Sequence, residues 1–290
     1  MQDTLMIREL VMDDYDVVKK METNIEDDYI HYIFPDLIQS ENEFLYGLYD
    51  EQKHLLAIAG YHVFPGGNAM IGRLRSDHRY LSKGNATRLL SHIADVLRQD
   101  PTITWLGANT NEGNKAARRV LEKLGLSVMT KLHSFTVKDI DLVGGENGDV
   151  WQQVTSVADK RALLQTVQTN ALGNVYPYEC YNPLPLKADL FSDQHLESSV
   201  FYQNQAQDRF LVIKPDRKGN WYAHVKYFWN DHNEQPGLWE TVKHFMQSRA
   251  TEDDMHVWID FSQQGFENIP NLDAYDVSDA WILYGEYTKR

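Results

Sequence analysis

Along residues 4–137 the apolar positions change period several times, and each change marks an element. Thr4–Leu10 is a short strand candidate. Asp13 or Asp14 can then cap a helix that carries Tyr15, Val18 and Met21 at helical spacing. Phe44–Leu48 and Leu55–Val63 are apolar runs joined by the polar segment Tyr49–Lys53, which predicts a hairpin. Pro65-Gly66-Gly67-Asn68 is a second turn signal, and Ala69–Arg75 reads as the third strand of that meander. From Gly84 the period becomes helical: Leu89, Leu90, Ile93, Val96 and Leu97 share a face, and Pro101 ends the run. Ile103–Ala108 is again a strand. Asn114 can cap a second helix with Ala117, Val120, Leu121 and Leu124 on one face, and Gly125 sits where a left-handed C-terminal residue is wanted. Leu132–Val137 closes the half as a strand. A meander followed by strand, helix, strand and helix predicts a mixed α/β fold, a mostly antiparallel sheet with flanking helices.

The second half has weaker punctuation. Gly144-Gly145-Glu146-Asn147-Gly148 reads as a linker and Lys160–Leu172 as a helix; Tyr176–Pro185 is a long proline-containing connection. Phe210–Ile213 and Trp221–Trp229 flank a turn at Pro215–Asn220. Leu238, Val242, Phe245 and Met246 give an amphipathic helix, and His256–Phe261 and Ala280–Tyr287 are strands. The order of hairpin, helix and strand echoes the first half and predicts two domains, residues 1–140 and 150–290, the second a degenerate copy of the first or another α/β domain. Asp231–Gly237, before the second-half helix, is acidic and proline-containing, a poor place for a pyrophosphate. Asp231 and His232 within it fit no common metal-ligand spacing, and no metal is expected.

Composition narrows the partners. The net charge is −14 over 290 residues, which speaks against nucleic acid or an anionic membrane as a partner. A membrane span needs about 20 apolar residues, and the longest nearly apolar stretch is Leu55–Phe64. The opening MQDTLMIREL lacks the pattern of a signal peptide, so a cytoplasmic protein is the expectation. A single cysteine, Cys180, excludes an internal disulfide. The charge is nevertheless unevenly spread. Residues 1–52 carry −11, residues 53–138 carry +8, and residues 139–290 carry −11. The basic block singles out Arg73–Lys138 as a region for an anionic ligand and leaves acidic flanks for a cationic one.

Within that block runs RLRSDHRYLSKGNATRLL, residues 73–90. A strand feeds a short loop, Ser82-Lys83-Gly84-Asn85-Ala86, and a helix follows at once. Helix-start amides lack intrahelical partners and carry partial positive charge, and small residues let a phosphate approach them.

Leu81-Ser82-Lys83-Gly84-Asn85-Ala86 and, about thirty residues on, Asn114-Lys115-Ala116-Ala117 with Glu122-Lys123-Leu124-Gly125-Leu126 resemble the paired motifs of the GNAT family of acyl-CoA-dependent N-acyltransferases. The resemblance covers residues 4–137 and implies acetyl-CoA as co-substrate. It implies that backbone amides of Lys83, Gly84, Asn85, Ala86 and Thr87 hold the pyrophosphate. The strand ending at Leu74–Ser76 would pair with the pantetheine arm and splay from Ile103–Ala108, and Asn114 would contact the cofactor. A primary amine, on a small molecule or a peptide, would attack the thioester directly. Two positions depart from the pattern. Leu81 replaces the usual Gln or Arg, and Leu121 stands where many members carry the tyrosine that protonates the thiolate.

For a general base, His62 is the candidate, since its neutral form is available near pH 7. Asp77 and His78 read as loop and capping residues. Glu26, Asp27 and Asp28 lie where the family builds its acceptor wall, with a charge suited to a cationic amine. The absence of an evident acid or base leaves an alternative, a non-catalytic acyl-CoA-binding or sensing protein.

Overall fold

The apolar runs of residues 43–76 do pair as a meander. The computed structural model describes residues 5–80, 84–249 and 255–288. It divides into two units that exchange chain segments: residues 1–110, 114–127 and 284–290 form the first, and residues 111–113 and 128–283 the second.

In the first unit β1 (Met6–Glu9), β2 (Glu43–Tyr49), β3 (Leu55–Phe64) and β4 (Asn68–Ser76) pair antiparallel in sequence order. Two helices, α1 (Tyr15–Lys19) and α2 (Ile30–Gln39), precede β2. From β4 the chain crosses through α3 (Asn85–Gln99) to β5 (Trp105–Asn111), which lies parallel to β4. α3 buries Leu89, Leu90, Ile93, Ala94 and Leu97, the face its periodicity predicts. α4 (Lys115–Lys123) follows, with Asn114 Oδ1 accepting the Ala117 amide at 3.0 Å and Gly125 in the left-handed region at φ +82°.

Asp14 does not cap the α1 helix through its side chain. Its carboxylate turns back to the Val11 amide (2.9 Å) and the Arg8 guanidinium (2.6 and 2.8 Å). α2 is an element that hydrophobic spacing did not suggest. Its interior Pro35 removes the bond that would reach the His31 carbonyl, four residues back. The Tyr15 hydroxyl donates to that carbonyl at 2.7 Å, and the Tyr15 ring stacks on Phe34 at 5.3 Å. Ile30, Phe34 and Leu37 are buried with Leu10, Val18 and Leu45 in one core.

In the second unit β6 (Ser127–Val137) opens the chain, and β7 (Gln152–Val154) and α5 (Val157–Thr166) follow. Next come β8 (Val175–Glu179), β9 (Asn182–Pro185), α6 (Asp193–Glu197) and β10 (Val200–Gln203). β11 (Phe210–Lys218) and β12 (Asn220–Lys226) form a hairpin that turns at Gly219, tighter than the Pro215–Asn220 turn expected, because Pro215 continues the ladder opposite Ala223. α7 (Leu238–Ser248) then crosses to β13 (Met255–Phe261), parallel to β12. α8 (Gln263–Glu267) and β14 (Tyr275–Asp276) follow, and β15 (Trp281–Tyr287) closes the chain, its residues from 284 on belonging to the first unit. Hairpin, helix and parallel strand thus occur twice, as β3–β4–α3–β5 and as β11–β12–α7–β13. The fold is two copies of one mixed α/β arrangement.

The second sheet sorts its residues by alternation. Leu211, Ile213, Ala223, Val225, Val257 and Ile259 pack with Leu238, Val242 and Phe245 of α7. Residues 144–148, expected to be a linker, are packed inside this unit. The Glu146 amide donates to Asn233 O, and Glu146 O accepts from the Gly237 amide. Among the described residues no helix is long and apolar enough to cross a membrane.

One ion pair fixes α2 against β4. Arg75 reaches Asp28 through Nε (2.6 Å) and Nη2 (2.9 Å), and Asp28 Oδ1 also takes the Ile30 amide (3.1 Å). Burial opposes the charged form of Asp28, but the Arg75 and Ile30 hydrogen bonds outweigh it and hold the carboxyl below its ordinary range. Asp28→Ala leaves a buried guanidinium alone and should cost about 3–5 kcal/mol in urea unfolding. The wild-type contribution is complete above the unfolded value of about 3.9 and is lost as pH falls through the lower folded value. The stability difference between wild type and Asp28→Ala should therefore narrow in acid.

Candidate functional site

β4 and β5 pair only at Asn68–Trp105, Ala69–Leu106 and Met70–Gly107. Beyond Met70 the β5-facing edge of β4 has no strand partner. The cause lies on the other edge, where the β3–β4 register shifts between Ile58 and Gly60. Arg73 takes φ +59° there, an extra residue in the left-handed region. Glu43 fixes it, with Arg73 Nη1 at 2.8 Å from Oε2 and Nη2 at 2.9 Å from Oε1. His62 Nδ1 lies 3.0 Å from the same Glu43 Oε1, and its ring stacks on Phe64 at 3.9 Å.

The parted strands open a cleft of about 400 Å³. Ile71, Gly72, Arg73, Leu74 and Ser76 line it from β4, and Asn109 and Thr110 from β5. Ala86 and Leu90 enter from α3, and Asn114, Ala117 and Leu121 from the α4 region. The expected cofactor residues Leu74, Ser76, Ala86 and Asn114 thus share one cavity, although Asn114 Oδ1 is also engaged as the α4 cap.

The start of α3 borders one end of the cleft through Ala86. Gly84 has φ +113°, and a Cβ built on it would meet nothing within 4 Å. Among the described residues the first helical bond is that of the Arg88 amide to Gly84 O at 2.8 Å. Ala86 and Thr87 precede it in the first turn, where amides point out of the helix. Asn85 is buried, with Nδ2 donating to Tyr80 O. Leu81, Ser82 and Lys83 lie outside the described residues.

The start of α7 is the matching place in the second unit, and it is closed. Gly237 also has positive φ (+78°), but a Cβ there would stand 2.0 Å from Asp149 O, and its amide is taken by Glu146 O. Residues 148 and 149 meet a Cβ built on Gly237, whereas one built on Gly84 meets nothing within 4 Å among the described residues.

The remaining candidates are placed differently. His62 does not line the cleft; Glu43 and Arg73 connect it to the edge. Asp28 does not present a free carboxylate, because Arg75 takes both its oxygens. Asp27 accepts the Tyr32 hydroxyl at 2.6 Å, and Glu26 is exposed. Asp77 is buried and holds Arg79 and the Glu22 amide. His78 Nε2 contacts Thr23 O. Sequence reasoning missed Glu43 and Arg73; a charged residue within an otherwise apolar strand beside Gly72 was the available signal.

Parallel strands that part beside a glycine-led helix start make a cleft with backbone amides at one end. Residues 4–126 match the acetyltransferase (GNAT) family model, so this part of the chain is a GNAT acyltransferase domain. No curated protein sequence matches it. Among solved structures it resembles a GCN5-related N-acetyltransferase from Sphaerobacter thermophilus, with TM-score 0.59 and 11% identity over 99% of this chain and 96% of that one. It also resembles a candidate acetyltransferase from Thermoplasma acidophilum, with TM-score 0.58 and 11% identity over 97% and 99% of the two chains. A conserved Enterococcus faecalis V583 protein of unknown function matches at TM-score 0.53 and 12% identity, over 99% of this chain and 73% of that one. At such identity these likenesses establish the shared two-unit fold.

The two glycines should respond differently to alanine. Gly84→Ala meets only the backbone strain and should cost about 1–2 kcal/mol. Gly237→Ala adds a clash with Asp149 O and should cost about 3 kcal/mol or more. Urea unfolding of the two variants compares them directly.

Proposed function

We propose that the first unit is an N-acetyltransferase that moves an acetyl group from acetyl-CoA to a primary amine by direct attack. The observation that carries this reading is the cleft between β4 and β5, which ends at the open start of α3. The residues present fit the co-substrate. Gly84 leaves room before the helix, and the Ala86 and Thr87 amides would face the pyrophosphate with the helix dipole behind them. The edge of β4 from Leu74 to Ser76 would pair with the pantetheine amides, and Asn114 sits at the far wall.

The chemistry is then mostly positioning. The amine nitrogen bonds to the acetyl carbon, the carbon–sulfur bond breaks, and the amine releases a proton. Leu121 lines the cleft where relatives in the family carry a proton-donating tyrosine. The thiolate is a weakly basic leaving group and departs without it. His62, the expected base, is held on Glu43 outside the cleft, so the amine proton would pass to solvent rather than to His62. The exposed Glu26 and Asp27 are the acceptor-side carboxylates suited to a cationic amine. The missing acid favours a second reading, in which the same cleft binds acyl-CoA without turning it over.

Calorimetric titration with acetyl-CoA, followed by CoA release with a panel of primary amines, separates the readings. Binding plus amine-dependent release is the expected result. Binding without release from any amine leaves the non-catalytic reading. Gly84→Trp should fill the cradle and weaken acetyl-CoA binding by about tenfold or more, roughly 1.4 kcal/mol. Binding unchanged by that substitution overturns the placement of the co-substrate.

A further inference from the structure

The polar face of the second sheet carries a buried cluster for which acyl transfer has no use. Asp216 on β11, His224 on β12 and Asp260 on β13 lie on the face opposite the α7 core, and Cys180 stands in the turn between β8 and β9. The Cys180 sulfur, an Asp216 carboxylate oxygen and a His224 ring nitrogen all lie within 4.8 Å of one another. Cys180 and His224 are both 0% exposed.

His224 is oriented from behind. Its Nε2 lies 2.8 Å from Asp260 Oδ2, and Asp260 Oδ1 accepts the Ser134 hydroxyl. That leaves Nδ1 as the free ring nitrogen, and it is buried with no hydrogen-bond partner. An unpaired buried polar atom is costly and needs a reason. Asp216 is likewise fixed, with Oδ2 taking the Cys180 amide (2.6 Å) and Oδ1 the Arg217 amide (2.8 Å); each oxygen keeps a further lone pair.

We propose that Cys180, Asp216 and His224 bind a divalent transition metal in the second unit. Thiolate, imidazole and carboxylate together match zinc, and a carboxylate behind the histidine is the usual support for such a ligand. Binding releases the Cys180 thiol proton to solvent. Three protein donors leave one of the four zinc positions to water, and the ion would tie the β8–β9 hairpin to the sheet. Lys226, on the same face two residues from His224, is 1% exposed; its Nζ lies over the Tyr176 ring with no hydrogen-bond partner and opposes a cation there.

Cys180 is the only cysteine in the chain, so a thiolate-to-cobalt charge-transfer band can arise from no other residue. The full-length protein is unfolded in urea and refolded with Co²⁺, which loads a buried site. The expected result is that band at one equivalent, displaced by Zn²⁺. His224→Ala should weaken Co²⁺ at least tenfold, and Lys226→Met should tighten it. No band in refolded wild type overturns the proposal. So does a band of equal affinity in His224→Ala or in urea, since it would reflect the thiol alone. Neither result bears on acetyl-CoA binding by the first unit.

Discussion

The working geometry of the first unit depends on a parallel strand pair that holds for three residues and then lets go. Two parallel strands joined by a helical crossover would ordinarily stay paired along their length. Here Arg73 adds a residue to β4 in the left-handed region, which costs of order 1 kcal/mol or more for a side chain of this kind. The Glu43 carboxylate grips the guanidinium in a forked pair and makes that conformation persist. The extra residue turns the edge of β4 away from β5. The right-handed crossover then delivers the start of α3 to the mouth of the gap. Cleft, unpaired strand edge and helix-start amides all follow from one bulge and the pair that holds it.

The second unit shows how little the topology alone decides. It repeats the hairpin, crossing helix and parallel strand, and it repeats a positive-φ glycine at the start of the helix. Yet Asp149 O presses on Gly237 where Gly84 faces open space. A helix N-terminus binds an anion only if its amides are left for it. In the second unit the chain has spent that position on itself, while His224 Nδ1 and Lys226 Nζ lie buried without hydrogen-bond partners on the opposite sheet face.

Much of this was legible in the sequence because it rests on period and punctuation. The three meander strands, the α3 face and the Asn114 cap are local patterns, and the structure forms them. What stayed hidden depends on contacts between distant segments. Pro35 masks α2 because the repair of the broken helix bond comes from Tyr15, twenty residues away. Asp28 reads as a loop carboxylate until β4 brings Arg75 against it. The turn of residues 215–220 looks broad because proline usually leaves a strand, while here Pro215 stays in the ladder. Cys180, Asp216 and His224 are spread over 45 positions with no motif spacing, so only the fold can assemble them.

The basic block of residues 53–138 also changes meaning once its charges are traced. Arg73 is paired with Glu43, Arg75 with Asp28 and Arg79 with Asp77. These cations neutralise carboxylates and hold strands and loops in place. With these three arginines engaged, the proposed pyrophosphate site would draw on the backbone dipoles at the α3 start, which are fixed in direction and need no side chain to reorganise. With Leu121 apolar in the cleft wall, the same economy extends to catalysis. Under the proposed acyl transfer the unit would offer little acid–base chemistry beside the thioester, and its rate would rest on holding two reactants in line. That in turn requires the rigid bulge and its Glu43 clamp.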